Sequence, residues 1–407
     1  MRESGLARAA SAIGAAAFLI AAIFALDCHP ICAQSSPSPP AVSKAESKRF
    51  QALADSADGA RDAGRLDEAA KTYRRALALN PKWTEGWWSL GTLYYDDDKY
   101  AEAALAFGRV VLLDPKQGTA HAMLGLCEFE MGQDEQALKN IEESKALGVL
   151  EDKQLRDVVM YHDGVLLQRA GQFEAAKAAL TSLCLNGVRS DELVAIFGMV
   201  ALRMREKVPP APGTETREMV QLAGRGACLS GAKDYDAARA EFERLIARAP
   251  NFPLAHYAFG CMLVDARDIP GAVREFEAEI AEEPKSVLPR LHIAVAEYKV
   301  DSAAGLKYAK EAVQLDPKLP LAHYLLGLLL LDTGAYKQAV PELEIARSAF
   351  PHEGRIDLSL ATAYAHVGRT QDAARARAEF ARKKQAEQKL AEGTVEITDA
   401  MDARSKR

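Results

Sequence analysis

Prolines stand 34 residues apart at Pro81 and Pro115, at Pro250 and Pro284, and at Pro317 and Pro351, with one shortened step of 33 from Pro284 to Pro317. The same step carries a phrase: LAHYAFG at 254–260 returns as LAHYLLG at 321–327, and more loosely as TAHAMLG at 119–125. A period of this length restricts the chain to stacks of equal supersecondary units, each burying its apolar face against the next.

Within a unit such as PLAHYAFGCMLVDARDIPGAVREFEAEIAEEP at 253–284, apolar residues recur at helical spacing in two runs, broken near Ala266 to Asp268 and ended by proline. Each unit is therefore read as a helical hairpin. Its first helix carries a large residue, then Leu or Phe, then a small one: Trp87, Leu90, Gly91; His121, Leu124, Gly125; His256, Phe259, Gly260; His323, Leu326, Gly327. Its second carries a small residue and a bulky one four later, as in Ala69 and Tyr73, Ala103 and Phe107, Ala272 and Phe276, Ala339 and Leu343. Small residues let the two helices approach, and the bulky ones fill the space left.

At these residues the chain resembles the tetratricopeptide repeat family, whose unit carries W-x2-L-G-x2-Y, A-x3-F, A and P in that order. WWSLGTLYY at 87–95 and YAEAALAFGRVVLLDP at 100–115 match it closely, and units begin near Phe50, Thr84, Gly118, Asp157, Met219, Pro253, Ser286, Pro320 and Gly354. The resemblance implies an all-α fold, a right-handed superhelical α-solenoid of tandem helix-turn-helix repeats. An N-terminal array of about four repeats is expected over 48–190 and a C-terminal array of about five, with a capping helix, over 219–392. Between them, 191–218 has a first helix but VPPAPGT in place of a second, read as a degenerate repeat and a flexible break. The unit at Ser286 has Ala294 where the others have glycine.

Residues 1–33 read as a secretory signal peptide: Arg2 and Arg8 precede an uncharged stretch from Ala9 to Leu26, and Ala33 offers a cleavage site. An uncleaved membrane anchor is the alternative, since about 18 apolar residues just suffice to span. Residues 34–47 are expected to be a disordered linker and 393–407 a disordered tail. The expected location is periplasmic or secreted. A formal charge of -6 with no concentrated basic face argues against nucleic acid. CHPIC at 28–32 lacks the C-x-x-C-H order of haem attachment. Cys127, Cys184, Cys228 and Cys261 read as small buried hydrophobes, while export would allow a disulfide between neighbouring repeats, with Cys228 and Cys261 the first couple to consider.

No phosphate loop, nucleophile elbow or H-E-x-x-H is present, no cofactor is implied, and the chain is read as non-catalytic. His121, His256 and His323 occupy equivalent places in separate units, about 10 Å apart or more, too far to share an ion, and read as packing residues. In this family the first helices line a concave groove. Applied here, the residue following the large packing position gives Trp88, Tyr161, Tyr257 and Tyr324, with Tyr95 and Phe129 farther along the stripe. Asp96, Glu130, Asp265 and Asp332 fall one position beyond it, so the groove is expected to be aromatic and acidic. The partner expected is a helix or extended segment of another protein in cell-envelope assembly; a polysaccharide stacking on the aromatics is the alternative.

Overall fold

The computed structural model describes residues 44–148, 153–187, 190–298 and 300–405. Residues 1–33, read from the sequence as a signal peptide, and residues 34–43 lie outside this range. Among the described residues there are nineteen helices and no strand. They form two compact units, one of residues up to 196 with 203–208, the other of 197–202 with residues from 209 onward.

The first unit contains four hairpins: α1 (Lys44–Asp62) with α2 (Leu66–Leu79), α3 (Thr84–Asp96) with α4 (Tyr100–Leu113), α5 (Gly118–Glu130) with α6 (Asp134–Ala146), and α7 (Lys153–Ala170) with α8 (Phe173–Leu185). Then α9 (Asp191–Ala201) stands as a first helix without a second. The second unit holds five: α10 (Glu215–Gly231) with α11 (Tyr235–Arg248), α12 (Ala255–Asp265) with α13 (Ile269–Glu282), α14 (Leu288–Glu297) with α15 (Ser302–Leu315), α16 (Pro320–Asp332) with α17 (Tyr336–Ala349), and α18 (Gly354–His366) with α19 (Thr370–Ser405). Within each unit the helices pack mainly on their neighbours in the chain, as expected of a solenoid. Helix begins at Lys44, inside the stretch expected to be a linker, and α19 continues through the stretch expected to be a disordered tail. No Pro or Gly follows Gly393, and extending a formed helix costs far less than starting one.

The first-helix glycines explain the close packing. A Cβ on Gly91 would lie 2.9 Å from the Phe107 ring, one on Gly260 2.6 Å from Phe276, and one on Gly327 2.6 Å from Leu343. Each facing side chain is wholly buried. In the hairpin with Ala294 the small residue has moved to the second helix, where Gly305 approaches the Ala294 carbonyl. Gly198 of α9 has no second helix to meet; a Cβ there would lie 1.9 Å from the Val220 carbonyl oxygen, so α10 fills that place.

The large residue at the start of the first helix also has a polar task. Trp87 Nε1 donates to the Pro81 carbonyl (2.9 Å), and the Nε2 atoms of His121 and His323 lie 3.2 and 2.9 Å from the carbonyls of Pro115 and Pro317. In these three units a ring N–H and the carbonyl of the preceding proline, six residues back, thus pin the repeat to the one before it. The other imidazole nitrogen faces the second helix, at Asn140 for His121, Glu275 for His256 and Glu342 for His323.

Candidate functional site

In the first unit the last turns of α3, α5 and α7 carry paired positions: Tyr95 and Asp96, Phe129 and Glu130, Gln168 and Arg169. Trp88, half-buried, stands edge-on to Phe107 at 5.3 Å, and Tyr95 edge-on to Tyr100 at 5.6 Å. Phe129 meets His162 edge-on at 4.6 Å, and Tyr161 meets the same imidazole at 5.3 Å. Burial lowers the His162 pKa to about 4, so this ring is neutral; its Nδ1 donates to the Val158 carbonyl at 2.8 Å. The Arg169 guanidinium lies over Phe129, 4.7 Å from the ring centre.

Asp96 and Glu130 are exposed and form no ion pair among the described residues. Burial of their carboxyl surroundings raises both above the carboxylate range, and Asp98 adds to this for Glu130. Tyr95 is pushed up too, first by burial and then by the negative field of Glu130, Asp96 and Asp98. The stripe is therefore aromatic at its floor and negatively charged at its rim.

Gln168 and Arg169 were not singled out from the sequence, and they hold a segment of the chain itself. Gln168, fully buried, donates from Nε2 to the carbonyls of Met204 (2.5 Å) and Glu206 (3.2 Å). Arg169 donates to the Lys207 carbonyl at 3.1 Å and pairs with Asp134 at 2.9 Å. Residues 203–208, read from sequence as part of a flexible break, are thus held against the end of α7 by their backbone. The prolines at 209, 210 and 212 bar a second helix, but the carbonyls ahead of them still accept hydrogen bonds. The missed signal was positional: Gln168 and Arg169 follow Gly164 by the same steps that place Tyr95 and Asp96 after Gly91.

The second unit treats its aromatics differently. Tyr257 does not line a groove: it is 1% exposed, packed against Phe276 and His292, with its hydroxyl 2.9 Å from His292 Nε2. An imidazole on α14 supplies the polar partner that lets a tyrosine hydroxyl be buried. Tyr324 is half-buried against the core formed with Leu326 and Leu330. Asp332 accepts from the Ser302 hydroxyl, and Asp265 opens onto a shallow recess of about 290 Å³ beside Lys233, Tyr235 and Arg267.

Cys228 and Cys184 are each disulfide-bonded, whereas Cys261 and Cys127 form no disulfide, so the Cys228–Cys261 couple does not form. Burial pushes the Cys127 thiol up to about 12 and leaves it unreactive at neutral pH. Among the described residues no group of three or more His, Cys, Asp or Glu is placed to hold a metal ion, and no helix is long and apolar enough to cross a membrane.

A tetratricopeptide repeat family model matches residues 54–117, 89–144, 229–287 and 324–386, just over half of the chain. The chain belongs to the tetratricopeptide repeat family. Superkiller protein 3 of Schizosaccharomyces pombe is 28% identical over 144 residues, which are 33% of this chain and 10% of that protein; the chain thus spans about a tenth of the relative's length. A crystal structure of MamA is 20% identical with a TM-score of 0.38, covering 40% of this chain and 96% of MamA. A MamA double mutant is 16% identical with a TM-score of 0.40, covering 42% and 96%. As a tetratricopeptide repeat protein the chain is a protein-interaction scaffold of a family that is generally non-catalytic.

Proposed function

We propose that this tetratricopeptide repeat protein is an exported, non-catalytic scaffold that holds a peptide or helix of a partner protein on the first-helix face of its first unit, in cell-envelope assembly. The observation that carries the reading is the stripe formed by Trp88, Tyr95, Phe129, Glu130 and Arg169, where amphipathic rings and charges converge beside Gln168, a buried side chain that reads backbone carbonyls. Main-chain contacts hold an extended ligand, and ring surfaces supply the contact area.

Export is supported by the pattern of residues 1–33 and by the disulfide engagement of Cys184 and Cys228, since disulfides persist in oxidising compartments. Affinity capture from envelope extract tests the partner reading. The wild-type chain should retain a protein that a Trp88→Ala, Tyr95→Ala variant of unchanged helicity releases; equal retention by both would move the site off this face. Mass determination of the secreted chain should find an N-terminus at Gln34, and an intact Met1 in the envelope fraction would replace cleavage with anchoring.

A further inference from the structure

The second helix of the second hairpin turns an apolar face to solvent. On the side of α4 away from its own hairpin lie Ala101, Leu105, Gly108 and Leu112, and the two leucines are 73% and 67% exposed. Their steps of four, three and four are the seam spacing of a parallel helix pair, in which like positions of the two helices meet. Gly108 stands in the middle of this seam, and a Cβ placed on it would have no atom within 4 Å. The first-helix glycines Gly91, Gly260 and Gly327 each face a bulky side chain of their own hairpin. Gly108 instead faces open space and weakens its helix without serving a contact within the chain.

Each second helix packs on the first helix of its own repeat and on that of the next, so α2, α4 and α6 follow one another in one outer layer. The 34-residue step puts Arg74 and Arg75 of α2, and Glu142 and Glu143 of α6, at the places that Gly108 and Arg109 hold on α4. All four flanking residues are exposed, and none forms an ion pair among the described residues. The seam therefore has a basic pair on one side and an acidic pair on the other, at the same height along the helices. Lys71 and Lys139 share the place of Leu105, and Asp67 and Glu135 that of Ala101, so the two flanks are alike in their first half and opposite in their second.

A two-fold axis along the α4 seam keeps two such helices parallel and lays α2 of each copy over α6 of the other. An axis across the seam makes them antiparallel and sets arginine against arginine and glutamate against glutamate. We propose that two copies of this chain associate through the outer layer of their first units, the α4 helices packing parallel on Leu105, Gly108 and Leu112, with Arg74 and Arg75 of each copy meeting Glu142 and Glu143 of the other. The occupant is a second copy because the seam and its flanks complement themselves. The leucines supply contact area, and the charged pairs, exposed and screened by salt, choose the orientation. The first-helix face stays open in both copies.

Sedimentation velocity of the full exported chain, over a concentration series up to its solubility limit and at low and high salt, tests this. The wild type should pass from monomer to dimer, and salt should weaken the dimer. A Leu105→Glu, Leu112→Glu variant, its helicity and melting checked by circular dichroism, should stay monomeric throughout. An Arg74→Glu, Arg75→Glu variant and a Glu142→Arg, Glu143→Arg variant should each self-associate at least about tenfold more weakly than wild type, because each alone sets like charges together. Their equimolar mixture should recover the wild-type affinity, since opposite charges then meet at both flanks. A wild type that stays monomeric at every concentration overturns the proposal. So does a dimer that survives the leucine substitutions, which would place the contact elsewhere. If the two charge variants dimerise like wild type, or their mixture shows no recovery, the parallel arrangement is wrong.

Discussion

Tyr257 and Trp88 occupy the same place in their repeats, yet one is sealed in the core and the other stays half open. The difference lies in the neighbours: His292 reaches the Tyr257 hydroxyl, so the ring can be buried without stranding a donor. Tyr257→Phe should cost about 1 kcal/mol and Tyr257→Ala about 3–5 kcal/mol in urea unfolding, with partner capture by the folded protein unchanged. Loss of capture without loss of stability would return Tyr257 to the binding face. His323 is the second informative residue. Burial lowers its pKa, but the Pro317 carbonyl and the Glu342 carboxylate, both acceptors, more than offset this and hold it above the ordinary range. A raised value in the folded state means stability fully present below about pH 6.5, the unfolded value, and lost as pH rises through the folded one. The stability difference between wild type and His323→Gln, from urea midpoints between pH 5.5 and 8.5, should therefore shrink with rising pH. A difference independent of pH would mean that the imidazolium contributes nothing.

Eight of the nine hairpin turns place one described residue in the left-handed region, at Gly64, Asp98, Gly132, Gly171, Lys233, Arg267, Gly334 and Gly368. Glycine adopts this conformation freely, whereas a residue with a Cβ is strained by about 1–2 kcal/mol. Lys233 and Arg267 are exposed, so Lys233→Gly and Arg267→Gly should each stabilise the second unit, by up to about 1 kcal/mol after the added unfolded-state entropy of glycine. A fall in the melting temperature would show that these side chains hold something. The helices make the opposite demand at Gly198. Backbone, not a movable side chain, stands where a Cβ would go, so Gly198→Ala should destabilise by about 3 kcal/mol or more, read by urea unfolding. At α12, Glu279 accepts from the backbone N–H groups of Leu254 (3.2 Å) and Tyr257 (3.1 Å), so a side chain of α13 caps the helix before it. That device joins the two helices of one hairpin where most of these helices have no side-chain cap.

The three tryptophans, Trp83, Trp87 and Trp88, all lie in the first unit, while circular dichroism reads helices in both. In a repeat protein, damage is felt first by adjoining repeats, because stability sums over nearest neighbours. Phe276→Ala, at a fully buried side chain of the second unit, should therefore lower the circular dichroism midpoint in urea by more than the tryptophan midpoint. Phe107→Ala, in the first unit, should reverse the order. Identical shifts by both probes would mean that the whole chain unfolds as one cooperative block.

The 34-residue period and the alternation of small and bulky positions were enough to establish paired helices, their turns and the family, because a solenoid repeats one local solution and each copy confirms the others. Trp88, Tyr95 and Phe129 were found in the same way, by their step from the packing residue. Which aromatics stay on the surface was not readable along the chain: Tyr257 is closed off by His292, 35 residues away, and nothing in LAHYAFG announces that partner. Gln168 and Arg169 were equally hidden, since their role depends on residues 204–207 folding back onto α7. Periodicity encodes contacts between neighbours that recur in every unit; burial of one particular ring and capture of one particular segment arise from single encounters distant in sequence, and only the tertiary structure decides them.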